Sequence, residues 1–295
     1  MSRPAVSIVV PTHNRPASLK RCLASVQPQL DDRDELIVVD SGSDDATYAE
    51  DLAAAVDARH VRLDHAGASL ARNVGWQSAR HDIVVFVDDD VTAEPEWLMP
   101  LIVRFAFDDR LGFVAGRMEA AGTMRPISVR VGNRPGTLSL GHPSPGATGN
   151  VAIRRTALED VAGFDERLGP GAWLAAAEDL DLLDRILAAG WSGWYAPQAV
   201  VYGEQPSTRR DQIRRTWAYG KGSGGRLAKT ARRDPIAAAR LARMVLPALR
   251  RSRSLSPDDP DAVVLPRDPV LSATRTAGTV IGFAAGLVML RPRRR

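Results

Sequence analysis

The feature that most constrains this chain is a series of short, mostly apolar runs, each of which ends in a cluster of polar residues. Runs of this length and composition predict buried strands. They lie at residues 6–10 (VSIVV), 36–39 (LIVV) and 83–87 (IVVFV), with a weaker run at 61–63. Between them, apolar residues at helical spacing predict helices over 18–27 and 69–80. Alternating strands and helices predict an α/β fold with a mostly parallel sheet flanked by helices.

The polar clusters that follow the strands predict a ligand site. They occupy residues 12–15 (THNR), 40–44 (DSGSD) and 88–90 (DDD). In an open parallel sheet, ligands bind beyond the carboxyl ends of the strands, where these clusters would meet. No G-x-G-x-x-G sequence follows the first strand, so the pattern does not favour dinucleotide binding.

The three consecutive carboxylates Asp88, Asp89 and Asp90 are the strongest chemical signal at that edge. Adjacent carboxylates repel each other and are stabilised either by solvation or by a cation. Oxygen ligands of this kind suit Mg²⁺ or Mn²⁺, which substrate phosphates and water commonly complete. A solvated acidic turn is the alternative that the residues alone leave open.

Composition separates the chain into two parts. Residues 201–295 contain 20 basic and 7 acidic side chains, whereas residues 1–200 contain 19 and 28. This asymmetry indicates different roles for the two parts. The single cysteine, Cys22, and an N-terminus without a basic-then-apolar signal predict a cytoplasmic protein.

The basic part, residues 206–295, is predicted to be a helical extension. It contains a linker at 251–269 and an apolar segment at 270–290, and the glycine-rich run 220–225 is predicted to be a mobile basic loop. The pattern of 235–250 fits either an amphipathic helix at an anionic membrane surface or a helix packed on the rest of the protein. Interfacial insertion or packing is favoured for 270–290, because spanning would place residues 1–200 and the C-terminal arginines on opposite sides of the membrane. No nucleic-acid partner is expected, since the extension lacks a recognisable reading motif.

Seven further motifs occur in order along the first two hundred residues. They are VVPTHNR (9–15), VVDSGSDD (38–45), ARNVG (71–75), FVDDD (86–90), TGNVAIRR (148–155), AGFDE (162–166) and EDLDLLDRILAAGW (178–191). As an ordered set, these motifs resemble those of the family 2 glycosyltransferases. The resemblance covers roughly residues 5–205. It implies a GT-A fold with a Rossmann-like sheet, in which residues 1–205 form the catalytic domain, with a nucleotide-binding half at about 1–115 and an acceptor-binding half at about 116–205.

The resemblance also implies roles for individual residues. The nucleotide-sugar donor would contact Pro11, Thr12, Asn14, Arg15, Asp40, Arg72, Asp88 and Asp89. Asp90 and Asp88 would hold Mn²⁺ or Mg²⁺, and Gly149 and Asn150 would line the acceptor side. Asp179, next to Glu178, would be the catalytic base. Taken alone, Glu178 and Asp179 would fit an ordinary acidic helix start, and Arg72 would fit a helix-surface charge.

The activity implied is an inverting, metal-dependent transfer of a sugar to a hydroxyl acceptor. A cation at the diphosphate would stabilise the leaving group, and a carboxylate would take the proton of the attacking hydroxyl. UDP is the favoured nucleotide, with GDP and dTDP as alternatives. The expected acceptor is a cell-envelope glycan or a lipid-linked intermediate. The protein is expected to be cytoplasmic and to reach this acceptor at the inner face of the cell membrane, through peripheral contact of its basic C-terminal region.

One position departs from the family pattern. Many relatives place a histidine at the end of the strand that follows the motif at 178–191. This chain has Gly203 at that position, followed by Glu204. This departure keeps a second hypothesis open, namely a catalytically degenerate module that binds a sugar nucleotide. A metal-dependent nucleotidyltransferase is a third, because it would share the acidic site without needing Glu178 and Asp179.

Overall fold

The computed structural model describes residues 3–45, 47–122, 129–130, 132–138, 140, 146–236, 238–239, 242, 263–264 and 268–290. Its strands are β1 (Val6–Thr12), β2 (Glu35–Ser41), β3 (Arg59–Leu63), β4 (Ile83–Phe86), β5 (Val91–Ala93), β6 (Leu111–Ala120), β7 (Val129–Arg130), β8 (Gly136–Leu138), β9 (Val151–Arg154), β10 (Ser192–Gly203) and β11 (Val263–Val264). Its helices are α1 (Pro16–Val26), α2 (Tyr48–Ala54), α3 (Ala68–Ser78), α4 (Leu98–Ile102), α5 (Arg155–Asp160), α6 (Glu178–Ala188), α7 (Arg209–Arg233) and α8 (Pro269–Met289). Short 3₁₀ turns follow α1 at Gln27–Gln29 and α4 at Val103–Ala106.

One sheet organises the molecule, in the order β11-β7-β6-β9-β4-β1-β2-β3. Strands β4, β1, β2 and β3 are parallel neighbours, and β9 inserts antiparallel between β4 and β6. The long strand β10 runs parallel to β6 and pairs antiparallel with β5 and β8. The predicted α/β fold with a mostly parallel sheet is therefore confirmed.

The side chains of the central strands form two cores, one on each face of the sheet. Along β1, Ile8 and Val10 pack on one face with Leu19 and Leu23 of α1, because alternate residues of a strand point to opposite sides. Val9 packs on the other face, with Trp76 of α3. Since both faces are covered, the strands are apolar along nearly their whole length, which is the pattern that the sequence displays.

Helices α7 and α8 pack side by side, and their seam corrects one prediction. Residues 220–225 were expected to form a mobile loop, but they lie inside α7. A Cβ atom on Gly220 would overlap the carbonyl oxygen of Arg275, and one on Gly224 would overlap that of Thr279. Gly278, Gly282 and Gly286 line the seam on α8. The glycines are needed because the two backbones touch, and this contact outweighs their poor helix propensity.

The other predictions for the extension have mixed outcomes. The apolar segment 270–290 is helical and forms α8, which begins after Asp268, whose side chain accepts a hydrogen bond from the Leu271 amide. Within the predicted linker, residues 263–264 form strand β11 beside β7. Most of 235–250 lies outside the described residues, as does most of the linker.

Candidate active site

The acidic cluster of Asp88, Asp89 and Asp90 lies where β4 ends, beside the carboxyl end of β1. Thr12 Oγ1 donates to Asp89 Oδ2 at 2.7 Å. Arg15 Nη1 donates to Asp89 Oδ1 at 3.1 Å and to Asp90 Oδ2 at 2.7 Å. The parallel pairing of β1 and β4 thus brings two of the predicted polar clusters into direct contact.

Crowded negative charge dominates this cluster. Burial, together with repulsion from the Asp90 carboxylate, raises the pKa of Asp89 to about 6. The attraction of Arg15 acts in the opposite direction but is outweighed. Burial and the Asp88 carboxylate likewise raise the pKa of Asp90 above its ordinary value. A cation between these carboxylates would favour their ionised forms.

The carboxylate oxygens of this cluster are possible ligands for Mn²⁺ or Mg²⁺. Within the described ranges, no group of three or more His, Cys, Asp or Glu side chains is arranged to hold a metal ion. The side chains of Asp88 and Asp90 are 31% and 19% exposed, so both carboxylates are reached by solvent at the carboxyl ends of β1 and β4, the edge of the sheet that we call the cleft. One or two carboxylates completed by substrate phosphates and water are the usual Mg²⁺ site in nucleotide enzymes. The residues present fit a cation that binds together with a diphosphate.

Arg72 of α3 joins the acidic cluster to the first turn of α6. Its Nη2 donates to Asp88 Oδ1 at 2.6 Å, and its Nη1 donates to Glu178 Oε1 at 3.0 Å. The Arg72 side chain is only 5% exposed, and its pKa is raised by the Asp88 and Glu178 charges, which outweigh desolvation. Arg72 is therefore a buried bridge between carboxylates 90 residues apart in sequence, and not a helix-surface charge.

Glu178 and Asp179 begin α6 after a strained stretch of backbone. Ala175 and Ala177 have φ values of 51° and 68°, a region that residues with a Cβ atom rarely adopt. Such strain persists only where surrounding structure imposes it, and it is typical of functional loops. Asp179 Oδ1 accepts the Leu180 amide at 2.7 Å. Burial and the neighbouring Glu178 carboxylate raise the pKa of Asp179 to about 7.

Asp40, at the end of β2, lies in a separate hydrogen-bonded group. It accepts from the amide and hydroxyl of Ser43 at 3.1 and 2.6 Å, and it forms an ion pair with Arg62. The Ser43 hydroxyl in turn accepts the amide of Asn14, whose φ of 54° lies in the left-handed region. These bonds connect the loop after β1, which begins beyond Pro11 and Thr12, to the loop after β2. The two loops border one end of the cleft, where the resemblance would place the nucleotide.

The two predicted acceptor-side residues have different environments. A Cβ on Gly149 would lie 2.9 Å from Asp88 Oδ2, so this backbone lies directly against the acidic cluster. The Asn150 side chain is buried and donates to the carbonyl oxygens of Arg117 and Ala199, while its Oδ1 accepts from Trp97 Nε1. Its amide is thus fully engaged in holding the loop. Direct acceptor contact stays a prediction for both residues, and the geometry supports it more for Gly149.

The departure at Gly203 alters one end of the cleft. Gly203 closes β10, and the amide of Glu204 donates to the Asp90 carbonyl oxygen at 2.9 Å. The Glu204 carboxylate forms an ion pair with Arg21 and accepts from the Ser18 hydroxyl at 3.1 Å. In this arrangement it is engaged by α1 and does not supply an oxygen to the acidic cluster.

Two arginines that the sequence did not single out complete the site. Arg62 is brought opposite Asp40 by the register of β2 and β3, which pairs the two residues directly. Arg215 of α7 lies 3.5 Å from Asp90, so the basic extension contributes to the cleft. Neither residue belongs to a recognisable motif, and only strand register and helix packing reveal them.

Comparison with known proteins agrees with this arrangement. The sequence profile described as Glycosyl transferase family 2 matches residues 7–161. The chain is 32% identical over 235 residues to the pre-mycofactocin glycosyltransferase of Mycobacterium tuberculosis, covering 76% of this chain and 47% of that relative. It therefore spans about half the length of that relative. It is 24% identical over 237 residues to the O-antigen chain rhamnosyltransferase RfbN of Salmonella typhimurium, covering 73% of this chain and 71% of RfbN.

A solved structure supports the same fold. The mannosyltransferase PcManGT from Pyrobaculum calidifontis, in complex with GDP-Man and Mn²⁺, superposes with a TM-score of 0.65 at 19% identity. The superposition covers 99% of this chain and 89% of PcManGT, which confirms the GT-A-like architecture. The matched profile covers more than half of the 295 residues, and it includes the loops after β1, β2 and β4. This chain belongs to glycosyl transferase family 2.

Proposed function

We propose that this protein transfers a sugar from a nucleotide-diphosphate donor to a hydroxyl acceptor with inversion at the anomeric carbon. The observation that carries the proposal is the Arg72 bridge, whose 2.6 and 3.0 Å hydrogen bonds join Asp88 to Glu178. It holds the carboxylates expected on the donor side close to those expected on the acceptor side. A displacement reaction needs these two sets of groups on opposite sides of one sugar ring.

The chemistry follows from the positions of these groups. The acceptor oxygen attacks C1 of the sugar, the new C1–O bond forms, and the bond from C1 to the phosphate oxygen breaks. Asp179 takes the hydroxyl proton, and the nucleoside diphosphate leaves as an anion. A general base works best with a pKa near the working pH, which is where burial and Glu178 place Asp179. A bound Mn²⁺ or Mg²⁺ held by Asp88 and Asp90 would supply charge neutralisation at the diphosphate.

The donor is proposed to lie along the loops after β1 and β2. Asp40 is the residue proposed to read the nucleobase; its carboxylate is buried and bonded to Ser43 and Arg62, so a base that bonds Asp40 must displace the Arg62 side chain. UDP remains the favoured nucleotide, with GDP and dTDP as alternatives. The complex of PcManGT with GDP-Man and Mn²⁺ supports a metal-assisted nucleotide-sugar donor as a class.

The acceptor is proposed to be a cell-envelope glycan or a lipid-linked intermediate. RfbN, a relative over 73% of this chain, is named for a step in O-antigen assembly, which supports an acceptor of this class. Donor and acceptor specificity reside in loop residues and not in the shared motifs.

The first test measures thermal unfolding with a panel of nucleoside diphosphates and sugar nucleotides, each with and without Mn²⁺. A ligand that binds only the folded state raises the unfolding temperature by mass action. We expect one nucleotide to give a metal-dependent rise that Asp90→Ala removes. No rise with any nucleotide would contradict the proposed donor site.

The second test separates sugar transfer from phosphoryl chemistry. Asp179→Asn keeps the size of the side chain and the acceptor for the Leu180 amide but cannot take a proton. We expect transfer to fall by about 10²–10⁴-fold, the range typical of a lost general base, with donor binding retained. Full transfer by this variant would refute Asp179 as the base, and retained nucleotidyl transfer would support a nucleotidyltransferase instead.

A non-catalytic sugar-nucleotide-binding module is the second candidate, and one observation favours it. Gly203 supplies no side chain to the cleft, and the neighbouring Glu204 carboxylate is engaged by Arg21. This candidate predicts donor binding without turnover. Donor hydrolysis that requires Mn²⁺ and disappears in Asp90→Ala would exclude it.

A further inference from the structure

Helix α8 presents a continuous apolar face to the outside of the molecule. Its 21 residues include one charged side chain, Arg275, which is partly buried near Tyr219. The exposed positions recur every three or four residues and are all apolar; they are Val270, Ala273, Ala277, Val280, Ile281, Ala284, Leu287, Val288 and Met289. Val280 and Val288 are 65% and 63% exposed. A contiguous apolar surface of this length marks an interaction site.

The inner face of α8 shows how the helix is held. Gly278 packs against the Trp217 carbonyl oxygen, and a Cβ on Gly286 would lie 3.0 Å from the Cα of Gly225. Small residues at four-residue spacing that let helix backbones touch are typical of helices packed in or at lipid. The packing uses the glycines and Leu271, which is buried, and leaves Val280, Ile281, Leu287 and Val288 exposed.

The direction of α8 relative to α7 limits its orientation. Asp268, before α8, pairs with Arg209 at the start of α7, and Gly286 near the end of α8 meets Gly225 and Ala228. The two helices therefore run parallel along most of their 25 and 21 residues. Helix α7 is fixed to the rest of the protein, because Lys229 Nζ bonds Asp165 at 2.6 Å and Asp181 at 2.7 Å.

This arrangement disfavours a spanning helix. By length and composition, α8 is the one helix in the described part of the chain that could cross a membrane. To do so, it would carry into the hydrocarbon the adjoining α7, whose exposed side chains include Arg210, Arg214, Arg232 and Arg233. Charged side chains are costly at that depth. A helix that lies flat keeps α7 in water and immerses only the apolar face of α8.

The surrounding charge indicates what kind of surface covers α8. Four arginines follow the helix directly in sequence, at 291 and 293–295, and residues 201–295 carry 13 more basic than acidic side chains. Apolar side chains combined with basic residues bind anionic lipid interfaces. Trp173, which is 47% exposed, lies under Lys221 of α7, whose Nζ is 4.6 Å from the ring centroid. Tryptophan favours the membrane interface.

From these observations, we infer that the outer face of α8 binds the surface of an anionic lipid bilayer, with the helix axis in the plane of the membrane. Trp173 belongs to the same loop as Ala175 and Ala177, immediately before Glu178 and Asp179. The loop that precedes the candidate base is thus held against α7 by Lys221. The inference concerns a partner of the chain and holds whether or not sugar transfer is demonstrated.

Vesicle co-sedimentation of the full chain tests this inference. We expect binding to vesicles of phosphatidylcholine with phosphatidylglycerol, and weak binding to phosphatidylcholine alone. The double substitution Val280→Glu/Val288→Glu places two charges on the face and is expected to lower partitioning by at least about tenfold. The matched control is Phe107→Glu, which alters an equally exposed apolar residue, 73% exposed, outside α8 and is expected to bind as the unaltered chain does. Equal loss in both variants would overturn the inference.

A second measurement does not depend on the folding of the charged variant. Cys22 is buried, so a polarity-sensitive fluorophore can be attached selectively to Val280→Cys. Its emission is expected to shift to the blue when anionic vesicles are added, whereas a label on Phe107→Cys stays unchanged. A label that is already shielded before lipid is added would mean that protein covers α8, and light scattering would then show whether a second copy does so. Resistance of the bound protein to alkaline extraction would indicate spanning and would also refute the inference.

Donor binding by the same protein variants distinguishes a failure of the membrane inference from a failure of the proposed sugar transfer. The α8 variants are expected to retain the metal-dependent thermal shift, because none of the substituted residues touches the cleft. Vesicle binding without any donor binding would leave the membrane inference intact and contradict the proposed function.

Discussion

Arg72 was expected to contact the donor, and in the structure it connects two carboxylates that lie on different elements. Removing the guanidinium would leave Glu178, whose side chain is 8% exposed, without its cation. Breaking a buried ion pair costs about 3–5 kcal/mol. We therefore expect Arg72→Ala to lower the free energy of unfolding by about this amount. Arg72→Lys should lower it less, because lysine keeps the positive charge, but it should still lower it, because one ammonium cannot bond both carboxylates. Urea unfolding of the two variants measures these changes.

A surface ion pair provides the control for Arg72. Arg33 pairs with Asp31 at 2.8 Å, but both side chains are largely solvated, so Arg33→Ala is expected to have no measurable effect on unfolding. If Arg72→Ala unfolds at the same urea concentration as Arg33→Ala, the bridge does not stabilise the fold.

The raised pKa of Asp179 predicts the direction of the pH dependence. A base must be ionised to accept a proton, and burial with the Glu178 charge raises its pKa to about 7. At saturating donor and acceptor, kcat should therefore rise with pH and level off above about pH 8. Rates measured in overlapping buffers check this. A rate that is independent of pH from about 5 to 8 would argue against Asp179 as the base.

The same shift predicts an effect on stability that needs no substrate. Because the folded state holds the Asp179 proton up to about pH 7 and the unfolded chain releases it near pH 4, this group favours unfolding increasingly as pH rises between these values. Asp179→Asn removes that penalty. It should raise the unfolding temperature by a few degrees at about pH 8 and by less at about pH 5. An equal change at both pH values would contradict the raised pKa.

At the scale of the elements, the close contact between α7 and α8 predicts that replacing a helical glycine by alanine destabilises the protein, the opposite of the usual effect. Replacing a helical glycine by alanine normally stabilises a helix by about 1 kcal/mol. In Gly224→Ala, however, the new methyl would overlap the Thr279 carbonyl oxygen of α8. We expect it to destabilise the protein by about 1–3 kcal/mol, as overpacking does. Gly136→Ala in β8 is the control, since nothing lies within 4 Å of the added methyl. Equal effects in thermal unfolding would refute the close seam.

Sequence reasoning succeeded where local pattern determines structure. The apolar runs of β1, β2 and β4 are buried on both faces, so their composition alone identifies them. It failed at 220–225, where a glycine run has the composition of a loop and becomes helical only because α8 packs against it. A partner helix about 55 residues away cannot be inferred from local propensity.

In the candidate site, too, the residues that lie in motifs were predictable, and the contacts that depend on tertiary packing were not. Asp88, Asp90, Asp179 and Asp40 lie in motifs whose order along the chain carries information. The cationic partners Arg15 and Arg72 also lie in such motifs, but two others do not: Arg62 meets Asp40 through strand register, and Arg215 reaches Asp90 from the extension. Such contacts depend on tertiary packing between distant segments, which no single motif encodes.

At the scale of the whole molecule, α7 joins the basic extension to residues 1–205. Burial alone would raise the pKa of Asp165, but the Arg167 and Lys229 cations hold it well below its usual range. Lys229 also bonds Asp181, and Arg226 pairs with Asp184 at 2.7 Å, so three carboxylates of residues 1–205 have partners on one helix. Although residues 206–295 were set apart as an extension by composition, these pairs predict that α7 and α8 unfold together with residues 1–205.

Lys229→Gln tests this coupling, because it removes one cation shared by Asp165 and Asp181. Because Asp165 keeps its pair with Arg167 and Asp181 keeps its pair with Arg185, neither carboxylate is left without a cation, and we expect a loss of about 2 kcal/mol in the free energy of unfolding, as for hydrogen bonds to charged groups. Hydrogen exchange followed by mass spectrometry would then show faster exchange in peptides of both α7 and β1, by a similar factor, because one cooperative unit opens as a whole. Faster exchange confined to α7 and α8, with β1 unchanged, would instead mean that the extension opens independently and that the acidic and basic parts are separate folding units.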